Sequence, residues 1–200
     1  MGERCRKGGQ LTAAAKWYER AAEQGHARGQ NNLGLSFMFG NGKRKDLKAA
    51  HLWLKKSADQ GLKYGQRNLG VLLLKIQGEE GIPEAISLFE KAASQGDARA
   101  KIELAAIFRC GPVGIKNDAH AASLYIDVIE SAETQNDLIY AKSAKAKLWG
   151  LLRDSTLEVV SDSRVKTQFP DHTTLIVDPV VILRSQLSFS SQKPDDLPFG

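Results

Sequence analysis

The sequence predicts an all-α fold built from tandem helix pairs, and three observations support this prediction. First, Leu33-Gly34 recurs as Leu69-Gly70 and then as Leu104-Ala105, at intervals of 36 and 35 residues by subtraction of the sequence numbers. Second, apolar residues follow a helical spacing in the runs before each recurring glycine. Third, those glycines keep the same intervals, at Gly25, Gly61 and Gly96. A period of this length is typical of arrays in which each repeat is one supersecondary unit.

The second helix of each unit, here called the B helix, has a broad apolar stripe. In one unit the stripe has the spacing i, i+3, i+4, i+7, i+8, with Ala50, Trp53, Leu54, Ser57 and Ala58. The matching runs begin at Ala14, Ala85 and Ala122. This spacing places the side chains on one side of a helix, whereas a strand would divide them between two faces. Trp17 and Trp53 belong to the stripe, so we expect both in the core.

Residues that favour helix ends flank these runs. Asp46 and Asp118 are expected to accept hydrogen bonds from free backbone N–H groups where B helices begin. Pro83 suits the first turn of a helix, where no N–H group is needed. The three recurring glycines can adopt the left-handed conformation that ends a helix.

The first helix of each unit, here called the A helix, is predicted at 27–39, 63–75 and 98–109. Gly34, Gly70 and Ala105 lie in the middle of these helices. Glycine inside a helix costs about 1 kcal/mol relative to alanine. A small residue that recurs in spite of this cost indicates that a neighbouring helix approaches closely.

The sequence resembles the Sel1-like repeat, a relative of the tetratricopeptide repeat. The matching residues of the first full unit are Gly29, Leu33, Gly34, Gly40, Gly42, Asp46, Ala50, Trp53, Lys56, Ala58, Gln60 and Gly61, and those of the next are Lys91, Ala92, Ala93, Gln95 and Gly96. The resemblance implies a right-handed α/α solenoid over residues 11–152, with about three full units plus flanking helices. The pattern departs from the family after residue 130, where no glycine closes the B helix.

Residues 153–200 are expected to form a C-terminal extension without repeats. Short β-branched runs at 157–160, 173–177 and 180–183 are separated by prolines. Both a small strand pair packed on the solenoid and a disordered extension agree with this composition.

The composition favours an ordinary water-soluble protein, with 42% hydrophobic residues. No run reaches the roughly 20 apolar residues of a membrane helix. The N-terminal residues are too polar for a secretion signal, which indicates either a cytoplasmic protein or a piece of a longer chain. Cys5 and Cys110 are too few for a disulfide framework, so reduced thiols are expected.

The sequence contains no recognisable catalytic or metal-binding motif. The four histidines, at 26, 51, 120 and 172, lack metal-ligand spacing among themselves or with the cysteines. No serine or cysteine stands in a nucleophile motif, and no glycine-rich loop follows a strand. We therefore expect neither enzymatic activity nor a metal or cofactor.

The predicted function is that of a protein–protein interaction scaffold or adaptor. Stacked helix pairs curve and create an extended concave surface, and the resemblance implies that the A helices line it. The expected partner-binding residues are Arg28, Asn31, Leu35 and Met38, with their register mates Tyr64, Arg67, Val71 and Leu74, and then Arg99, Ile102, Ala106 and Arg109. Each set has basic or polar residues at one end of its helix and apolar residues at the other. This arrangement suits a peptide with acidic groups and an apolar anchor.

Other interpretations remain open at this point. Leu35, Val71 and Leu74 could pack on a neighbouring helix instead of binding a partner. An RNA-binding helical array agrees with basic clusters such as 43–45, although these basic residues are not collected with aromatic platforms. A non-catalytic subunit of an enzyme complex and self-association are further alternatives.

Overall fold

The described residues form helices joined by short turns, in two compact units that divide between Lys116 and Asn117. The computed structural model describes residues 2–132 and 135–154. The first unit contains α1 (Gly2–Glu23), α2 (Ala27–Phe39), α3 (Leu47–Asp59), α4 (Lys63–Gln77), a 3₁₀ turn (Gly78–Gly81), α5 (Ile82–Ser94) and α6 (Ala98–Cys110). The second contains α7 (Asp118–Glu130) and α8 (Gln135–Asp154). No strand occurs among the described residues, and the predicted all-α repeat architecture is confirmed.

The observed boundaries differ from the predictions mainly at the ends of the array. Helix α1 begins at Gly2, upstream of the solenoid start predicted at residue 11. Helix α8 extends to Asp154. Residues 155–200 lie outside the described residues, so the strand pair or disordered extension stays a prediction.

The helix ends follow the local chemistry of the sequence, with one correction. The side chain of Asp46 caps α3 by accepting hydrogen bonds from the N–H groups of Lys48 and Ala49, at 2.9 and 3.0 Å. Gly25, Gly61 and Gly96 have φ angles of 84°, 80° and 76°, which confirms the left-handed helix ends. Asp118, however, is the first residue of α7 rather than its cap. Asn117 accepts the hydrogen bond from the N–H of His120 instead, because its extended backbone aims its side chain at that group.

Each of the first two A helices packs between two B helices through a pair of small residues. In α2, a methyl group added at Gly29 would meet Ala21 of α1, and one added at Gly34 would meet Leu54 of α3. In α4, Gly65 lies in the same way against α3 and Gly70 against α5. The predicted close approach at Gly34 and Gly70 is therefore confirmed.

The apolar stripes of these helices form a continuous core within the first unit. One buried cluster joins α2, α3, α4 and α5 through Met38, Ala50, Leu54, Ala58, Leu69, Leu72, Leu73 and Leu88. Contacts follow the chain from α1 to α6, each helix packing on the next. Each helix pair thus completes its core against its neighbours, as expected of a repeat array.

The two tryptophans of the stripe are not core residues. Trp17 is 67% exposed, and the guanidinium carbon of Arg20 lies 5.4 Å from its ring centroid. Trp53 is half-buried, and the Lys56 ammonium lies 4.4 Å from its ring centroid. The expected core position is wrong for both, because the stripe is wider than the contact area. A basic side chain one turn later lies near each ring, and Trp17 still remains largely exposed.

The second unit has its own small core between α7 and α8. The buried side chains are Ala121, Ala122, Tyr125, Ile126 and Val128 from α7, with Ala144, Leu148 and Leu151 from α8. Leu138, Ile139 and Trp149 of α8 are exposed. Ala122, Tyr125 and Ile126 of the predicted apolar stripe therefore lie in the core between α7 and α8.

Replacing Gly29 by alanine should destabilise the first unit. The added methyl group would come within 2.6 Å of the Ala21 Cβ and 2.9 Å of the Ala21 carbonyl carbon, and overpacking of this kind costs about 1–3 kcal/mol. Helix propensity offsets up to about 1 kcal/mol of this cost. We expect urea denaturation, followed by circular dichroism, to give a free energy of unfolding about 1–2 kcal/mol below wild type.

The same exchange at Gly9 is the matched control. No atom lies within 4 Å of a methyl group added there, so only the propensity gain remains. The control should be as stable as wild type or more stable by up to about 1 kcal/mol. Equal effects of the two substitutions would contradict the assigned role of Gly29 in helix packing.

Candidate partner-binding face

The A helices present a row of accessible side chains that repeats in register. The accessible positions have the spacing i, i+4, i+7, i+11 on each helix, and all of them are half-buried or exposed. We call this set the accessible stripe: Arg28, Asn32, Leu35 and Phe39 on α2, Tyr64, Asn68, Val71 and Lys75 on α4, and Arg99, Glu103, Ala106 and Cys110 on α6. Helices α2 and α4 are in direct contact, so their stripes lie side by side.

Several residues predicted to bind a partner are instead internal. Asn31 and Ile102 are each only 6% exposed, and Met38 is 3% exposed within the core cluster. Asn31 and Ile102 lie at position i+3 of the predicted spacing, and Met38 lies at i+10. Both positions fall on the flank of the helix that packs on its neighbour. The expectation that these three side chains face a partner is therefore corrected.

The other predicted residues are either exposed or half-buried. Arg28, Tyr64 and Arg99 are exposed. Leu74 and Arg109 are half-buried, while Leu35 and Val71 are half-buried and pack against the core cluster. Leu35 and Val71 thus use part of their surface for packing within the protein, as the alternative interpretation expects.

Arg67 is held inside the face by an ion pair with Asp97. Its Nη1 donates hydrogen bonds to both carboxylate oxygens of Asp97, at 2.8 and 3.1 Å, and the two side chains are only 13% and 4% exposed. Asp97 also caps α6 by accepting a hydrogen bond from the N–H of Ala100 at 3.0 Å. This carboxylate ties α4 to the start of α6, so the role of Arg67 here is structural.

A chain of side-chain amides runs from this ion pair along the face. Arg67 donates to the Asn68 Oδ1 at 3.4 Å, and the Asn68 Nδ2 donates to the Asn31 Oδ1 at 2.8 Å. The Asn31 Nδ2 in turn donates to the Asn32 Oδ1 at 3.1 Å. The chain connects α4 with α2 and satisfies the buried amide of Asn31, which explains why a polar residue is tolerated at that internal position.

A second set of amides connects successive repeats at the helix ends. The Gln60 Nε2 donates to the carbonyl of Gly25 at 3.0 Å and to the Gln30 Oε1 at 2.7 Å. One repeat later, the Gln95 Nε2 donates to the carbonyl of Gly61 at 3.0 Å and to the Gln66 Oε1 at 2.8 Å. We call this arrangement the glutamine bridge. The recurring Gln-Gly pair in the sequence was the signal for it.

Next to the glutamine bridge is a shallow depression of about 600 Å³. It is lined by Ala27, Arg28, Gln60, Gly61, Leu62, Lys63, Tyr64 and Gln95. Lys63 lies over the edge of this region, where its Nζ donates to the carbonyl of Gln95 at 3.2 Å. Sequence reasoning identified Arg28 and Tyr64 but missed Gln60, Lys63 and Gln95, which approach them only through the stacking of repeats.

No group of three His, Cys, Asp or Glu side chains among the described residues could hold a metal ion. In the same part of the chain, no helix has both the length and the apolar character needed to cross a bilayer. Cys110 is a free, exposed thiol at the end of α6.

Removing the carboxylate of Asp97 should be strongly destabilising. Asp97→Ala leaves the Arg67 guanidinium buried without its partner and removes the cap of α6. Breaking a buried pair in this way costs about 3–5 kcal/mol, which urea denaturation of the full chain can measure. Asp46→Ala is the matched control, because it removes an exposed cap without an ion pair and should cost only about 1 kcal/mol.

The double variant Arg67→Met, Asp97→Ala separates the ion pair from the cap. It should be more stable than Asp97→Ala alone, since no buried charge is then left unpaired. A double variant no more stable than Asp97→Ala would show that the pair contributes little and that the cap accounts for the loss.

Comparison with known proteins supports the repeat assignment. The family model described as Sel1 repeat matches residues 6–26, 27–62 and 63–97. The first match covers the B-helix half of a repeat, and the other two cover complete helix pairs. A search of the curated proteins gives no match.

Two solved structures share the arrangement. The protective antigen c5321 of uropathogenic Escherichia coli, which has an SLR fold, is 27% identical with a TM-score of 0.63, over 73% of this chain and 30% of that protein. A Sel1 repeat protein from Oxalobacter formigenes is 29% identical with a TM-score of 0.55, over 68% of this chain and 54% of that protein. The present chain thus spans less than two thirds of either structure. Family match, fold and sequence identity agree that residues 6–97 of this chain consist of Sel1 repeats.

Proposed function

We propose that this chain is a protein-interaction scaffold that binds a segment of a partner protein along the accessible stripe. Sel1 repeat proteins generally mediate protein–protein interactions. The single observation that carries the proposal for this chain is the register of the stripe. Successive A helices present, in the same register, side chains that keep accessible surface after the repeats have packed.

The chemistry of the stripe supports a partner with mixed character. Phe39 and Tyr64 are large apolar side chains with 59% and 41% exposure. Exposed cations accompany them at Arg28 and Lys75. Aromatic and arginine side chains are the residues that most often dominate binding energy at protein interfaces. A partner segment with an apolar anchor and acidic groups complements this surface.

The rigidity of the face also favours binding. The Arg67–Asp97 pair and the amide chain fix neighbouring A helices at the base of the stripe. A surface that is already ordered loses less conformational entropy when a partner binds. These contacts thus hold α2 and α4, which carry Phe39 and Tyr64, in place before a partner binds.

The proposal predicts that two changes on the stripe reduce partner capture. Phe39→Ser with Lys75→Glu removes an aromatic anchor and reverses a charge without touching the core, since both side chains are exposed. Truncating one interface anchor commonly costs about 1–2 kcal/mol, so we expect roughly a tenfold loss. Tagged full-length chain would be incubated with extract of the source cells, and captured proteins quantified by mass spectrometry at equal helix content.

The matched control carries similar exchanges on a B helix. Leu52 and Lys55 are exposed residues of α3 outside the stripe, so Leu52→Ser with Lys55→Glu should leave capture unchanged. Equal retention of every partner by the stripe variant, or equal loss from the control, would contradict the proposal.

A further inference from the structure

We infer that the depression beside the glutamine bridge binds the carboxylate of an acidic side chain in an extended segment of the partner protein. This inference rests on the proposed function and names one subsite for it. The depression is defined above by its lining residues, and Arg28, Lys63 and Tyr64 supply its functional groups. All of them belong to the first unit.

The charge of the depression is the first argument. Two cations line it, Arg28 and Lys63, and no acidic residue is among the lining side chains. Arg28 is exposed and has no ion-pair partner among the described residues. Arg99, its register mate two repeats later, is in contrast 3.7 Å from Glu103. The guanidinium of Arg28 thus remains available for the bidentate pairing that carboxylates favour.

Lys63 is positioned beside it rather than free to move in solvent. Its ammonium donates one hydrogen bond to the carbonyl of Gln95 at 3.2 Å and lies 5.6 Å from the Tyr64 ring centroid. An ammonium group has three donors, so two remain for a ligand. On the same ring, the guanidinium carbon of Arg67 lies 5.5 Å from the centroid. Because Arg67 is already paired with Asp97, Lys63 is the cation at this ring that an anion would complement.

The amides of the glutamine bridge indicate an extended protein segment rather than a nucleic acid. Gln60 and Gln95 use their Nε2 groups within the bridge. Their Oε1 atoms accept no hydrogen bond from the residues that the structure describes. A peptide offers backbone N–H donors for these oxygens beside its acidic side chain, whereas a phosphodiester backbone offers only further acceptors.

The test uses a blocked peptide as the probe. Full-length ¹⁵N-labelled chain would be titrated with acetyl-Gly-Leu-Glu-Gly-Leu-amide, and in parallel with the same peptide carrying Gln in place of Glu. Blocked ends ensure that the side chain provides the only carboxylate. The expected result is a set of amide shifts centred on Arg28, Lys63 and Tyr64, with affinity at least about fivefold weaker for the Gln peptide, which corresponds to about 1 kcal/mol.

Variants connect this response to the two cations. Arg28→Gln with Lys63→Gln should weaken binding of the Glu peptide to the level of the Gln peptide. Arg44→Gln is the matched control, since Arg44 is an exposed cation in the turn between α2 and α3, outside the depression. It should change the affinity by less than about twofold.

Three outcomes would overturn the inference. They are an equal response to both peptides, no response up to about 10 mM, and stronger shifts of the same amides with an oligothymidylate, which would assign the depression to nucleic acid. The capture experiment distinguishes the two proposals. If Phe39→Ser with Lys75→Glu loses the partner while Arg28→Gln with Lys63→Gln retains it, the scaffold function stands and the carboxylate subsite does not.

Discussion

The structure depends on how closely each A helix approaches the two B helices beside it. Gly29 and Gly34 lie on opposite flanks of α2, one against α1 and the other against α3, and α4 repeats the arrangement. Because neighbouring helices pack on both flanks of such an A helix, only one narrow face of it remains accessible to solvent. The packing of small residues therefore decides which side chains can meet a partner, even though no glycine contacts that partner itself.

Polar interactions then fix what the close packing brings together. The glutamine bridge joins consecutive repeats at their helix ends, and the Arg67–Asp97 pair joins α4 to α6 near the middle of the face. The Arg67–Asp97 pair is largely shielded from water, so loss of one partner would leave a buried charge unpaired. The glutamine bridge lies closer to the surface, where Gln60 and Gln95 are exposed. The apolar core supplies most of the burial, whereas these polar contacts set the geometry of the A-helix surface.

The sequence was sufficient for the fold and insufficient for the details of the site. Helical spacing and recurring glycines predicted α2 and α3 almost to the residue, because both signals are local. The accessible stripe differs from the predicted partner-binding positions because the spacing i, i+3, i+7, i+10 does not stay on one face of the helix. At about 100° per residue, the direction opposite to Gly29 and Gly34 falls on Arg28, Asn32, Leu35 and Phe39 instead. Using the two glycines together would have placed the stripe correctly. Lys63 had no such signal, since its proximity to Gln95 arises only from the stacking of repeats. The sequence also gives no sign that Trp17 is exposed, because apolar spacing does not show how much of the stripe a neighbouring helix covers.

The glutamine bridge also gives the array a direction. Each bridging side chain belongs to the later repeat and uses a carbonyl of the earlier one, so Gln60 relies on Gly25 and Gln95 on Gly61. Shortening the array from the two ends is therefore not equivalent. Cutting away α1 with its closing turn deprives the next repeat of an acceptor that it uses, while deleting α5 and α6 leaves the bridge at Gln60 complete. Loss of the earlier end thus removes acceptors from a bridging glutamine, whereas loss of the later end removes the donor that serves Gly61 and Gln66.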